Sequence, residues 1–236
     1  MIVADIVKEL ETLGSPSNVE GMARFGIVTK KAFGVPAAEL KRLAKEIKKK
    51  ADDRHSLALE LWQTGIHDAR AVAYLIDDPK QVTEVQMDTW AADFDNWAIV
   101  DGSCGHLFCR TPLAYTKVAE WSERDEEFIK RAGIVLIAWL TVHDKKAGDD
   151  KFAAFLPLLE KHAGDDRNFV KKAVNWALRQ IGKRSLSLNS LAVDAANRIK
   201  LQGSRSARWI GADALRELTS DAVRRRLESK ARQGGS

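Results

Sequence analysis

DEEFIKRAGIVLIAWL (125–140) and DRNFVKKAVNWALRQI (166–181) share one pattern at an offset of 41 residues. Each reads Asp, two polar residues, Phe, a β-branched residue, Lys, a second base, then Ala. Apolar side chains recur three and four residues apart in both, the spacing that gathers them on one stripe of an α-helix. ARAVAYLI from Ala69 and SARWIGADALREL from Ser206 are weaker echoes. A repeat of ~40 residues with two helices per unit is the signature of HEAT-like repeats. Two helices cannot bury an apolar face alone, so such units stack on one another. The spacing therefore predicts an all-α, HEAT-like helical-repeat solenoid, a curved superhelix of helix pairs whose second helices face a concave groove. Arg131 and Lys172 then hold equivalent positions in successive units.

The remaining segments agree with a helical chain. Ile2, Ile6, Leu10 and Leu13 form a stripe closed by Gly14-Ser15-Pro16-Ser17, and Pro36 opens AAELKRLAKEIKKK in the favoured first turn. Short gaps such as Asp77-Asp78-Pro79, Gly148-Asp149-Asp150 and Gly203-Ser204 are rich in capping and turn residues. No alternating strand pattern stands out. The expected organisation is a single repeat domain over 1–230, followed by a disordered tail at 231–236.

Composition narrows the classes. Hydrophobic residues make up 45% of 236, enough to build a sizeable core. No apolar run reaches the ~18 residues of a membrane span. The start MIVADIVKEL carries acids where a signal peptide carries bases. These features predict a cytoplasmic protein with no membrane partner. Two cysteines, Cys104 and Cys109, are too few for a disulfide framework or a structural zinc site, and buried free thiols are the expected reading. The net charge of +5 is unevenly spread: from Arg167 onward there are 16 Lys and Arg against 5 Asp and Glu, and the preceding residues carry 22 bases and 28 acids. A cationic C-terminal part points to a polyanion, or simply to a solvated helical surface.

Stock catalytic motifs are missing. There is no P-loop, GxGxxG, HExxH or nucleophile elbow, and the five histidines lack ligand spacing, so neither a metal nor a cofactor is expected. Tryptophan is the unusual feature, with seven residues, several of them near charge. Trp97 and Asp101 stand at i and i+4, placing an indole and a carboxylate on one helix face. Gly102 and Gly105 follow, leaving room for another backbone to come close. Trp176 lies among Lys171, Lys172, Arg179, Lys183 and Arg184, an interleaving of aromatic and cation that suits a nucleic-acid groove. Each has a plainer reading. Trp62, Trp90 and Trp139 lie among aliphatics and suit a core. Asp101 could cap a helix beginning at Gly102, which spacing alone favours over catalysis.

Taken together, MARFGI (22–27), AFGVPAAELKRLAKEI (32–47), ELWQTGIHDARAVAYLI (60–76), NWAIVD (96–101), EFIKRAGIVL (127–136) and FVKKAVNWALRQIGK (169–183) resemble the AlkD-type DNA alkylation-repair glycosylases, a family of HEAT-like repeats. The resemblance implies a monofunctional enzyme, monomeric and without cofactor, that excises positively charged N3- or N7-alkylated purines from double-stranded DNA. It assigns one active-site Trp and the catalytic Asp to Trp97 and Asp101. A functionally important Arg near the lesion falls on Arg131, and the second active-site Trp on Trp176. The bases expected to meet the DNA are Lys171, Lys172, Arg179, Lys183, Arg184 and Arg208. Two positions depart from the pattern: Asn96 replaces an aromatic before the first Trp, and Phe25 replaces a Tyr in the MARY stretch. The alternative is a HEAT-like DNA- or protein-binding scaffold in which the site has lapsed.

Overall fold

The structure, a computed structural model, describes residues 2–234. Among them there are fifteen α-helices and one 3-10 turn, and no strand, as the periodicity predicts. No helix among the described residues is long and apolar enough to cross a membrane. The chain gathers into two units, Met1–Thr116 and Lys117–Ser236.

The first unit holds α1 (Val3–Leu13), α2 (Pro16–Arg24), α3 (Ala37–Lys50), α4 (Arg54–Gln63), α5 (His67–Ile76), α6 (Glu84–Ala92) and α7 (Trp97–His106), then the 3-10 turn Phe108–Arg110. Side-chain caps start several of these helices. Asp53 accepts from the Ser56 amide, Thr83 from Gln86, and Asn96 from both Ala98 and Ile99. Each satisfies an amide that has no partner within the helix, typically contributing ~1 kcal/mol. Trp62 and Trp90 are core residues, as expected. Both are 2% exposed, and their rings stack 3.9 Å apart. Asp68 is buried, and its carboxylate accepts from the amides of Phe33 (2.6 Å) and Val35 (2.8 Å). One acid on α5 thus fastens the segment leading into α3. Cys104 and Cys109 are buried free thiols, and burial pushes the Cys109 thiol up to about 11. Cys104 lies in α7 and Cys109 in the 3-10 turn that follows it.

α8 (Ala114–Ser122) runs across the boundary in sequence. The second unit continues with α9 (Glu127–His143), α10 (Asp149–Ala153), α11 (Leu156–His162), α12 (Asn168–Gly182), α13 (Leu186–Leu201), α14 (Arg205–Leu218) and α15 (Asp221–Gly234). α12 packs against α9, α13 and α14, and α13 packs closely on α14. The 41-residue offset is realised in three dimensions, because Phe128 of α9 and Phe169 of α12 touch with ring centroids 5.5 Å apart. Polar contacts repeat the same interval. Arg167 donates to the Asp125 carbonyl, the Phe169 amide to Glu127 (3.3 Å), Ser206 to Asp166, and Asn175 to Asp213 (2.7 Å). Each partner lies 38 to 42 residues from the other, one helix pair along the chain. Residues 231–234, expected to begin a tail, continue α15, and 235–236 lie outside the described residues.

Candidate active site

Asn96 begins the site. It is fully buried, and its side-chain oxygen caps α7, so the helix starts at Trp97 rather than at Gly102. This overturns the capping reading of Asp101, which sits a full turn inside α7 and is half-buried. The departure at position 96 also acquires a physical role. Its amide nitrogen donates to Asp95 (2.6 Å) and lies 3.3 Å from His67 Nδ1. Burial lowers the His67 imidazole below its ordinary value, and this outweighs the nearby Asp68 and Asp95 carboxylates.

Trp97 is half-buried, and its Nε1 donates to the carbonyl of Phe25 at 2.9 Å. Gly26 follows with φ +75°, a conformation that glycine adopts without strain, and turns the chain just after that carbonyl. The indole thereby forms one wall of a pocket of about 480 Å³, shared with Met22, Phe25, Ile27, Val35 and Pro36. Phe25 is 75% exposed at this pocket, where it presents an apolar ring and no hydroxyl.

Gly102 does leave room for a close approach, but by a side chain rather than a backbone. A β-carbon there would lie 2.3 Å from Cζ of Tyr74. The Tyr74 ring also stacks on His106, with centroids 5.8 Å apart. Burial raises the Tyr74 phenol above its ordinary value, and the Asp101 and Asp68 carboxylates raise it further. Tyr74 was not among the residues singled out from sequence. Its position in the last turn of an apolar helix gave no sign of the Asp101 carboxylate nearby.

In the second unit Arg131 is buried at 5% exposure, and its Nη1 donates to the Phe169 carbonyl at 2.6 Å. It holds the start of α12 against α9. Trp176 is half-buried on α12 and meets Trp139 of α9 edge to face, centroids 5.4 Å apart at 80°. Trp139 in turn stacks on His143 at 5.3 Å. The core reading of Trp139 is therefore corrected: it is half-buried in an aromatic seam with Trp176, and its buried Nε1 has no hydrogen-bond partner among the described residues.

The six expected DNA-facing bases divide into three kinds. Lys172 and Arg208 are exposed, and Lys171 lies 5.5 Å from the ring centre of Trp209, itself 41% exposed. Arg179 and Lys183 both engage Glu217, at 2.5 and 2.7 Å. Burial pushes the Glu217 carboxyl up, but the hydrogen bonds and charges of these two bases bring it below its ordinary value. Arg184 donates to the carbonyls of Thr141 (2.7 Å), Asp144 (2.9 Å) and Ala147 (2.7 Å), tying the end of α9 to α12. Trp209 escaped notice as a site residue, although it follows Lys171 by 38 positions, within the repeat interval.

The family of DNA alkylation repair enzymes is described by a sequence model that matches residues 6–218. The chain belongs to that family. A solved structure from a new family of proteins related to the HEAT-like repeat DNA glycosylases, with affinity for branched DNA structures, is similar in fold. It has a TM-score of 0.75 and 23% identity, covering 92% of this chain and 95% of that one. The HEAT-like helical fold is thereby established. No curated protein matches the chain.

Proposed function

We propose that this protein is a DNA glycosylase that removes positively charged N3- and N7-alkylpurines from duplex DNA by hydrolysis. The observation that carries the reading is the pairing on α7, where Trp97 walls an apolar pocket and Asp101 follows one turn later. An alkylated purine already carries positive charge, so its glycosidic bond breaks readily. The bonding electron pair leaves with the base and neutralises it, while positive charge develops on the deoxyribose. The Asp101 carboxylate stabilises that charge. It then takes a proton from the water that adds to C1′, leaving an abasic sugar.

The indole of Trp97 packs on the sugar and attracts its developing charge, contributing ~1 to 2 kcal/mol when desolvated, while Trp176 offers the DNA an aromatic face on the second unit. Arg131 acts from within the wall. Anchored to Phe169, it supplies a fixed positive charge toward the DNA backbone rather than a reaching hand. Lys171, Lys172 and Arg208 meet the phosphates directly, whereas Arg179 and Lys183 do so partly neutralised by Glu217.

A second reading is a DNA-binding scaffold without catalysis, and the branched-DNA affinity of the similar structure favours it. Release of N7-methylguanine from methylated duplex DNA separates the two. Wild type should release the base, and Asp101→Asn should be slower by ~100-fold or more. Equal release by both proteins would remove Asp101 from the mechanism. No release by wild type, with tight binding to a four-way junction, would favour the scaffold.

A further inference from the structure

A second pocket, of about 760 Å³, lies in the C-terminal unit where the ends of α9 and α12 meet α15. Among the described residues its lining contains five cationic side chains, Lys145, Lys183, Arg184, Arg226 and Lys230, and no acidic one. A neighbouring hollow of about 410 Å³ shares Lys145, Arg184 and Lys230. Two acids stand near the bases: Glu217 engages Lys183, and Asp149, which lines the neighbouring hollow, lies 3.5 Å from Arg184.

Helix C-termini carry partial negative charge, which would by itself repel an anion. Here the cations already answer it. Arg184 takes two carbonyls at the end of α9 and one in the loop after it, Arg226 donates to the Lys183 carbonyl (3.0 Å), and Lys230 to that of Arg184 (2.6 Å). Arg226 and Lys230 each use one donor in these contacts, which leaves the guanidinium four and the ammonium two, whereas Arg184 uses three of its five. Lys145 is exposed and has no ion-pair partner among the described residues. The Lys230 ammonium is held below its ordinary value by burial and by the like charges of Lys145, Arg184 and Arg226. Cations crowded in this way gain when an anion joins them.

The pocket also adjoins the aromatic seam. Gln180, in its lining, is one turn beyond Trp176 on α12, and Val142 is three residues beyond Trp139 on α9. Along the other wall Arg226, Ser229, Lys230 and Gln233 recur at helical spacing, a polar stripe about 10 Å long on α15. An elongated, open, polyvalent site suits a chain of phosphodiesters better than one small anion.

We propose that this pocket binds the phosphate backbone of the nucleic-acid strand that leaves the Trp139–Trp176 seam, with Lys145, Arg226 and Lys230 as its principal contacts. The inference rests on the reading that the protein binds DNA. It adds α15 and the loop after α9 to the interface, neither of which supplies any of the six bases expected from sequence.

Fluorescence anisotropy with a labelled duplex tests it. Lys145→Glu/Lys230→Glu should bind ~10-fold more weakly at low salt and lower the slope of log K against log salt by about one to two. A control with the same change in net charge, Lys8→Glu/Lys200→Glu, should stay within about twofold of wild type, and the neutral pair Lys145→Gln/Lys230→Gln should fall between. Circular dichroism and melting identify any unfolded variant, and the neutral pair then decides. Equal weakening by pocket and control variants would reduce the effect to net charge and overturn the proposal. Pocket variants that bind like wild type would overturn it alone, leaving DNA binding intact. Wild type that binds no DNA would overturn both.

Discussion

The phenol ring of Tyr74 occupies the space that a side chain at position 102 would take, with its Cζ 2.3 Å from where a β-carbon would be. The contact joins α5 to α7 immediately beside Asp101. Gly102→Ala should therefore destabilise the protein, even though alanine is the better helix former by ~1 kcal/mol. Displacing the ring is expected to cost ~1 to 3 kcal/mol net, as overpacking does elsewhere. Chemical denaturation measures it, and Gly102→Ala/Tyr74→Leu should recover much of the loss. A single variant as stable as wild type would mean that the ring moves freely.

Tyr74 also predicts an alkaline limit to stability. Its folded pKa is raised by burial and by two carboxylates, so the neutral phenol is favoured in the fold. The stabilisation is complete below the unfolded tyrosine value of ~10 and is lost as pH rises toward the folded one. Ultraviolet titration should show a delayed phenol that disappears in Tyr74→Phe. The same variant should flatten the fall of unfolding free energy above pH ~10. An unchanged titration curve in Tyr74→Phe would refute the assignment.

Glu217 engages Arg179 and Lys183, two of the bases proposed to meet the DNA. Glu217→Gln should release Arg179 and Lys183, strengthen duplex binding several-fold at low salt and steepen the salt dependence by about one to two counterions. Because the Glu217 carboxyl is held below its ordinary value, its contribution to stability is present above the unfolded value of ~4.3 and is lost as pH falls. The variant should accordingly be less stable at neutral pH and lose less on acidification. Binding with an unaltered salt slope would place both bases away from the phosphates.

The helices and the repeat of the second unit were legible because their signals are local or strictly periodic. Phe128 and Phe169 stand 41 positions apart and touch. The contents of the site were less legible. Asp101 read as a cap because Gly102 weakens a helix, yet Asn96 offers two amides a better acceptor five residues earlier. Trp139 read as core because an aliphatic stripe does not distinguish a sealed position from the rim of an aromatic seam. Asp68 was invisible, since the amides that it satisfies belong to residues 33 and 35, far away in the chain. The placement of Trp97 and Asp101 on one face followed directly from a four-residue spacing.

The hydrogen bond from Trp97 to the carbonyl of Phe25 gives the indole a mechanical duty beside any chemical one. Truncating Trp97 unlatches the N-terminal segment at the moment it strips the pocket wall, so two defects arrive in a single variant. A replacement that retains the ring and blocks only the N–H, such as an indole-nitrogen isostere introduced during synthesis, separates latch from wall.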